Sequence, residues 1–285
     1  MHKPTVTIIT PVHNEELGID AWAAAVMSTL ISQENVDFRV LLVEDGSTDK
    51  SWQKIQELCG KSSKFSGIRL SRNFGSHVAL SAGADAFIPD YRLAPEHPFP
   101  AAVEDVEACY RGLADMGITK IAITGDSAGG NLALVLLSIA SAQASRYTVV
   151  PVGAVAFSPV TDLALTGKSF DTRADADPYF TKSQVAGLVR SYLGNTDPKN
   201  PLASPLYGDL SGLPAIRIHV GDDEVLLDDS RRYVELAVAA GVDARLEVWM
   251  GMPHGFVTGV DKYNAAKGAF HAVGEFLAQR LGGDI

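Results

Sequence analysis

The sequence predicts an α/β fold, one mostly parallel sheet of about eight strands with helices on both faces. Two observations carry this. Short apolar runs alternate with segments of helical apolar period along the whole chain. The runs are near-continuously apolar, which suits strands buried on both faces. In order, an apolar run predicts a strand at Val6–Thr10, followed by a helix over Glu16–Ser32. The next two strand–helix pairs are expected at Arg39–Glu44 with Asp49–Cys59, and at Gly67–Leu70 with Ser76–Ala82. A strand at Ala86–Asp90 then leads to a helix over Ala101–Met116. Ile121–Thr124 and Val150–Phe157 read as strands flanking a helix at Ala128–Ala142. From Thr161 to Ser211 the pattern breaks into Asp, Pro and Gly around one helix, Lys182–Leu193, an insertion above the sheet. Strands at Ile216–Val220 and Leu246–Trp249 alternate with helices at Asp229–Ala240 and Ala265–Leu281. In the last helix Phe270, Val273, Leu277 and Leu281 share one face.

Composition narrows the function classes. The 285 residues are 46% hydrophobic and 20% charged, an ordinary globular balance, enough for one large or two small domains. The net charge of −10 and the lack of a basic stripe argue against a nucleic-acid partner. Two distant cysteines, Cys59 and Cys109, make neither a disulfide framework nor a Cys-based zinc site, and they suit a reducing compartment. The start runs directly into a strand-like segment without an apolar leader, and the apolar stretch Leu132–Ala140 is too short to span a bilayer. The expected location is therefore cytoplasmic, with no membrane span. No cofactor and no metal are expected, and a homo-oligomer is left open.

The sharpest motif is Gly125-Asp126-Ser127-Ala128-Gly129, between an apolar strand and a helix. Glycines at this spacing permit a tight strand-to-helix turn that lifts Ser127 out at the carboxyl edge of the sheet. The Ala128 amide and the helix dipole then face the place where negative charge develops on a substrate. A serine hydroxyl needs a base, and the base needs an orienting acid. In a nucleophile-elbow fold these follow in the order serine, acid, histidine. His254, just after the final strand, stands in the right place. His219 lies inside an apolar strand and reads as a core histidine, whereas His2, His13 and His77 precede the serine. The acid should follow the preceding strand, where Asp222, Asp223 and Glu224 all stand.

Residues from about 83 to 281 resemble the hormone-sensitive-lipase family of α/β-hydrolase esterases. The matching stretches are Asp90-Tyr91-Arg92-Leu93-Ala94-Pro95-Glu96-His97-Pro98-Phe99-Pro100, the Gly-Asp-Ser-Ala-Gly turn, Asp177-Pro178-Tyr179-Phe180 and His254-Gly255-Phe256. The resemblance implies an α/β-hydrolase-like C-terminal two-thirds and a small-molecule ester as substrate. It implies Ser127 as nucleophile and His254 as base. In that family the acid lies about thirty residues before the histidine, which selects Glu224. Many members carry Asp where this chain has Glu, so Asp223 stands second. The family's upstream His-Gly-Gly-Gly loop, a source of oxyanion donors, does not occur in this sequence. Gly75 and Ser76, at the start of the helix after Gly67–Leu70, are the expected substitutes.

Residues 5 to about 86 resemble the nucleotide-binding half of family 2 glycosyltransferases. The resemblance rests on Thr7-Ile8-Ile9-Thr10-Pro11-Val12-His13-Asn14-Glu15-Glu16, Val43-Glu44-Asp45-Gly46-Ser47-Thr48-Asp49 and Leu70-Ser71-Arg72-Asn73-Phe74-Gly75. It implies a nucleotide site lined by Pro11, Glu15 and Asp45. Where such enzymes carry an Asp-x-Asp metal site, this chain has Ile88-Pro89-Asp90-Tyr91. The expected organisation is thus a glycosyltransferase-like half-domain over 1–86 and an α/β-hydrolase part over 87–285 with an insertion at 161–211, sharing one sheet. Three functions follow: ester hydrolysis with a preference for short acyl chains, nucleotide-sugar binding or transfer, or an inactive fusion.

Overall fold

A computed structural model describes residues 5–12, 15–31, 37–45, 47, 49–70, 82, 84, 86–142, 149–260 and 262–282. The chain divides into two compact units, one of Met1–His77 with Asp85–Asp90, the other of Val78–Ala84 with Tyr91–Ile285.

The smaller unit holds three parallel strands in the order β1-β2-β3: β1 (Thr5–Val12), β2 (Asp37–Asp45) and β3 (Phe65–Leu70). Helices α1 (Ile19–Ile31) and α2 (Ser51–Lys61) follow the first two strands. Val12, Ile19, Val40, Leu42, Ile55, Leu58 and Phe65 form its core. Asp49, one residue before the N-cap Lys50 of α2, accepts the Glu16 and Ser51 amides. The buried Ser51 hydroxyl takes the Glu15 amide at 2.8 Å.

The larger unit is a four-stranded parallel sheet in the order β4-β5-β6-β7, formed by Ala122–Asp126, Gly153–Phe157, Ile216–Asp223 and Ala244–Pro253. Its helices are α3 (Ala101–Asp115), α4 (Ala128–Ala142), α5 (Ser169–Thr172), α6 (Lys182–Leu193), α7 (Leu227–Ala239) and α8 (Asn264–Leu281). Strand alternation sorts the core into two layers. Ala154 and Ala156 of β5, with Ile216 and Ile218 of β6, pack with α3, α4 and α7. Val155 and Phe157 point to the other face and pack with Val273, Phe276 and Leu277 of α8. Burial on both faces is why β5 is apolar throughout. Helix α4 carries no charged residue and buries ten side chains or backbones from Gly130 to Ala140, as a helix at the centre of a fold must. Each Leu, Ile or Val buried there contributes about 1.5–3 kcal/mol.

The expected α/β architecture is present, with corrections in detail. Among the described residues there are seven strands, hydrogen-bonded as sheets of three and four, instead of about eight in one sheet. Ala86–Asp90 is not a strand. Pro89 offers no amide to a ladder and restricts Ile88 before it. Strand β5 starts at Gly153, after Pro151, for the same reason. Helix α7 begins two residues early and so places Asp228 and Asp229 in its first turn, where the dipole favours acids. The helix expected at Ser76–Ala82 lies almost wholly outside the described residues. Residues 161–211 contain no strand; they form α5, α6 and a 3₁₀ turn at Pro205–Tyr207. Thr181 and Gln184 close a capping box at the start of α6.

Candidate active site

Ser127 sits between β4 and α4 with φ at 54°, in the left-handed region that L-residues rarely adopt. Gly125 makes this turn feasible: a Cβ there would lie 2.1 Å from the Gly129 carbonyl oxygen, a backbone atom that cannot swing aside. The Ser127 amide donates to the Phe157 carbonyl at the end of β5, at 2.8 Å. Ala128 is the first residue of α4, and amides in a first helical turn have no intrahelical acceptor. The buried Asn131 amide group donates to the carbonyls of Val160 and Ala203, tying the loop after β5 and the insertion to α4.

His254 follows β7, and Gly255 in the left-handed region turns the chain away behind it. Glu224 follows β6. The ends of β6 and β7 approach closely because Gly221 has no side chain: a Cβ there would stand 2.0 Å from the Met252 carbonyl oxygen. The His254 Nε2 lies 3.0 Å from Ser127 Oγ, and its Nδ1 lies 2.7 Å from Glu224 Oε2. The Glu224 carboxylate is fully buried, and its other oxygen accepts the Ser158 hydroxyl at 2.7 Å and the Gly221 amide at 2.6 Å. Glu224, and not the half-buried Asp223, takes the bond to His254. Asp222 pairs with Arg173 at 3.0 Å.

Burial, the largest single influence, works to lower the His254 pKa, and the Glu224 hydrogen bond works against it. With the charges of Glu224, Asp126 and Asp177, the ring is held above its ordinary 6.5. Phe180 packs against this ring in a T-shaped contact, with centroids 5.1 Å apart. Asp177 fixes that contact by accepting the amides of Tyr179 and Phe180 on one oxygen and that of Val225 on the other. His219 is different. Buried in β6, with Arg217 near, it is pushed down to about 4 and stays neutral, its Nδ1 accepting the Trp249 indole N–H at 3.2 Å.

Residues 64–258 match the alpha/beta hydrolase fold family, and residues 7–92 match glycosyl transferase family 2. The chain belongs to the alpha/beta hydrolase fold family. It is 42% identical over 187 residues to an acetyl-hydrolase of Streptomyces hygroscopicus, covering 64% of this chain and 61% of that protein. It is 37% identical over 190 residues to an esterase of Acinetobacter venetianus, covering 66% and 62%. The chain thus spans less than two thirds of the length of either relative. A crystal structure of an esterase from the bacterial hormone-sensitive lipase family superposes with a TM-score of 0.69 at 45% identity, covering 72% of this chain and 69% of that one. Another, of EstE5 soaked with p-nitrophenyl butyrate, gives 0.70 at 42% identity, covering 74% and 71%. The resemblance drawn from sequence motifs is therefore shown at both ends of the chain.

Of the expected site residues, Ser127, Glu224 and His254 come together in the structure. Pro11 lies in β1 and Asp45 ends β2, while Glu15 is exposed just after β1. Gly75 and Ser76 lie outside the described residues. Among the described residues no cluster of three His, Cys, Asp or Glu side chains is placed to hold a metal ion, and no helix is long and apolar enough to cross a membrane. Sequence reasoning assigned no part to Ser158, Gly221 or Phe180. The one available signal for Ser158 was a Ser-Pro pair closing a wholly apolar strand.

Proposed function

We propose that this chain hydrolyses carboxylic esters through an acyl-enzyme, on Ser127, His254 and Glu224. The observation that carries the reading is the continuous chain of hydrogen bonds from Ser127 Oγ through the imidazole to the buried carboxylate, at 3.0 and 2.7 Å. In the first step His254 Nε2 takes the hydroxyl proton as Ser127 Oγ bonds to the ester carbonyl carbon. Glu224 keeps the other ring nitrogen protonated and stabilises the imidazolium. The tetrahedral oxyanion faces the first turn of α4, where the Ala128 amide and the dipole favour negative charge. Collapse breaks the bond to the alcohol oxygen, which leaves with the proton from His254. Water then repeats the sequence on the acyl-enzyme and returns free Ser127. The relatives named acetyl-hydrolase and the structure soaked with a butyrate ester support short acyl chains as substrates.

The test uses p-nitrophenyl acetate and a fluorophosphonate probe. The expected result is turnover and one-to-one labelling at Ser127, both lost in a folded Ser127→Ala protein. Hydrolysis surviving within about threefold in that variant would assign the chemistry to another group, since the attacking atom is gone.

A further inference from the structure

Ser158 closes β5 as Ser127 closes β4, and it too is a non-glycine residue in the left-handed region, with φ at 44°. Such a conformation persists only where its surroundings enforce it. Here the Ser158 amide donates to the His219 carbonyl of the neighbouring strand at 2.8 Å, while the buried hydroxyl donates to Glu224 Oε1 at 2.7 Å. The Gly221 amide converges on the same oxygen at 2.6 Å. A carboxylate can rotate about its last carbon–carbon bond, and a fully buried one must keep both oxygens paired. Two donors on Oε1 set the plane of the group and leave Oε2 to the imidazole.

We propose that Ser158 is a positioning residue, whose hydroxyl fixes the rotation of the Glu224 carboxylate so that Oε2 faces His254 Nδ1. This rests on the proposed ester-hydrolase reading for its catalytic meaning, though the geometry it invokes exists in the resting protein. Gly221 supplies a main-chain donor whatever its side chain, so the adjustable contact is the Ser158 hydroxyl. Removing it frees the carboxylate to turn and weakens the bond that favours the protonated ring. The other charges facing His254, Asp126 and Asp177, are unchanged by the substitution.

Two variants separate hydroxyl from backbone. Ser158→Ala deletes the hydroxyl at the same φ, and Ser158→Gly deletes it while relieving the left-handed strain. Two measurements are made on each: steady-state hydrolysis of p-nitrophenyl acetate, and the NMR titration of His254 without ester. In both variants kcat should fall about 10- to 100-fold, the scale of a hydrogen bond to a charged group, with KM within about twofold. The His254 titration should move down toward that of a free imidazole. A fall in kcat with an unmoved or rising titration would overturn the assignment, as would kcat and titration both unchanged. If the wild-type protein hydrolyses no ester but the titration still falls in both variants, the positioning role stands and the hydrolase reading fails. If it hydrolyses the ester and the titration stays in place, the reverse holds.

Discussion

Burial withdraws water from the His254 ring and by itself favours neutral imidazole. The Glu224 hydrogen bond and three nearby carboxylate charges overcome this and hold the ring above 6.5. A base must be neutral to accept the Ser127 proton. In the proposed reaction kcat/KM therefore rises with pH through the raised value, and its acid limb lies above 6.5. The same shift favours folding where His254 is charged: its contribution is full below the unfolded value and is lost as pH rises through the folded one. Glu224→Gln keeps an acceptor and removes the charge. It should move the acid limb down and lower kcat by about 10²–10⁴-fold, read from the pH profile of p-nitrophenyl acetate hydrolysis. An unmoved limb would remove Glu224 from the mechanism. At this scale the sequence was legible where chemistry is local or ordered: the elbow motif located Ser127, and chain order located His254. Between three adjacent carboxylates, order alone could not choose. Ser158 and Glu224 are 66 residues apart, and no spacing rule connects them.

Helix α4 runs over Ala128–Ala142, the range its apolar content predicts, because a helix buried on every side leaves a continuous signature. Ala86–Asp90 was misread by the same rule, since an apolar run says nothing of the missing amide at Pro89. Within α4, Asn131 is the polar exception. Its side-chain amide donates at 2.6 and 2.7 Å to carbonyls from two separate segments. Asn131→Ala removes this donor from both carbonyls. It should cost about 1–3 kcal/mol in urea-induced unfolding followed at Trp249, whereas an exposed pair of this kind would cost nothing measurable. A loss below about 0.5 kcal/mol, the range of ordinary surface substitutions, would mean that water replaces the amide.

At the scale of the molecule, two family signals lie on one chain, and both were legible because their motifs are short and contiguous. How the loop after β5 is anchored was not, since it depends on a buried charge cluster assembled from three distant segments. Asp162 pairs with the Arg232 guanidinium at 2.8 Å and accepts from Thr166 and Tyr207, which keep it ionised with its pKa lowered against burial. Asp229 is less well served. One oxygen accepts the Thr161 and Asp162 amides, but the other has no hydrogen bond and stands 3.7 Å from Arg232. Burial, aided by the neighbouring Asp162 charge, pushes Asp229 up to about 7 in spite of those amides. Unfolded, it titrates near 3.8, so between about 4 and 7 the folded state holds more protons than the unfolded state. Stability from this group therefore falls as pH rises through that window, opposite to the usual carboxylate. Asp229→Asn removes the titration and keeps an acceptor for the two amides. Its unfolding free energy relative to wild type should rise between pH 4.5 and 8, in paired urea titrations at each pH. A difference that stays constant across that range would show that Asp229 is ionised throughout, with Arg232 neutralising both acids together.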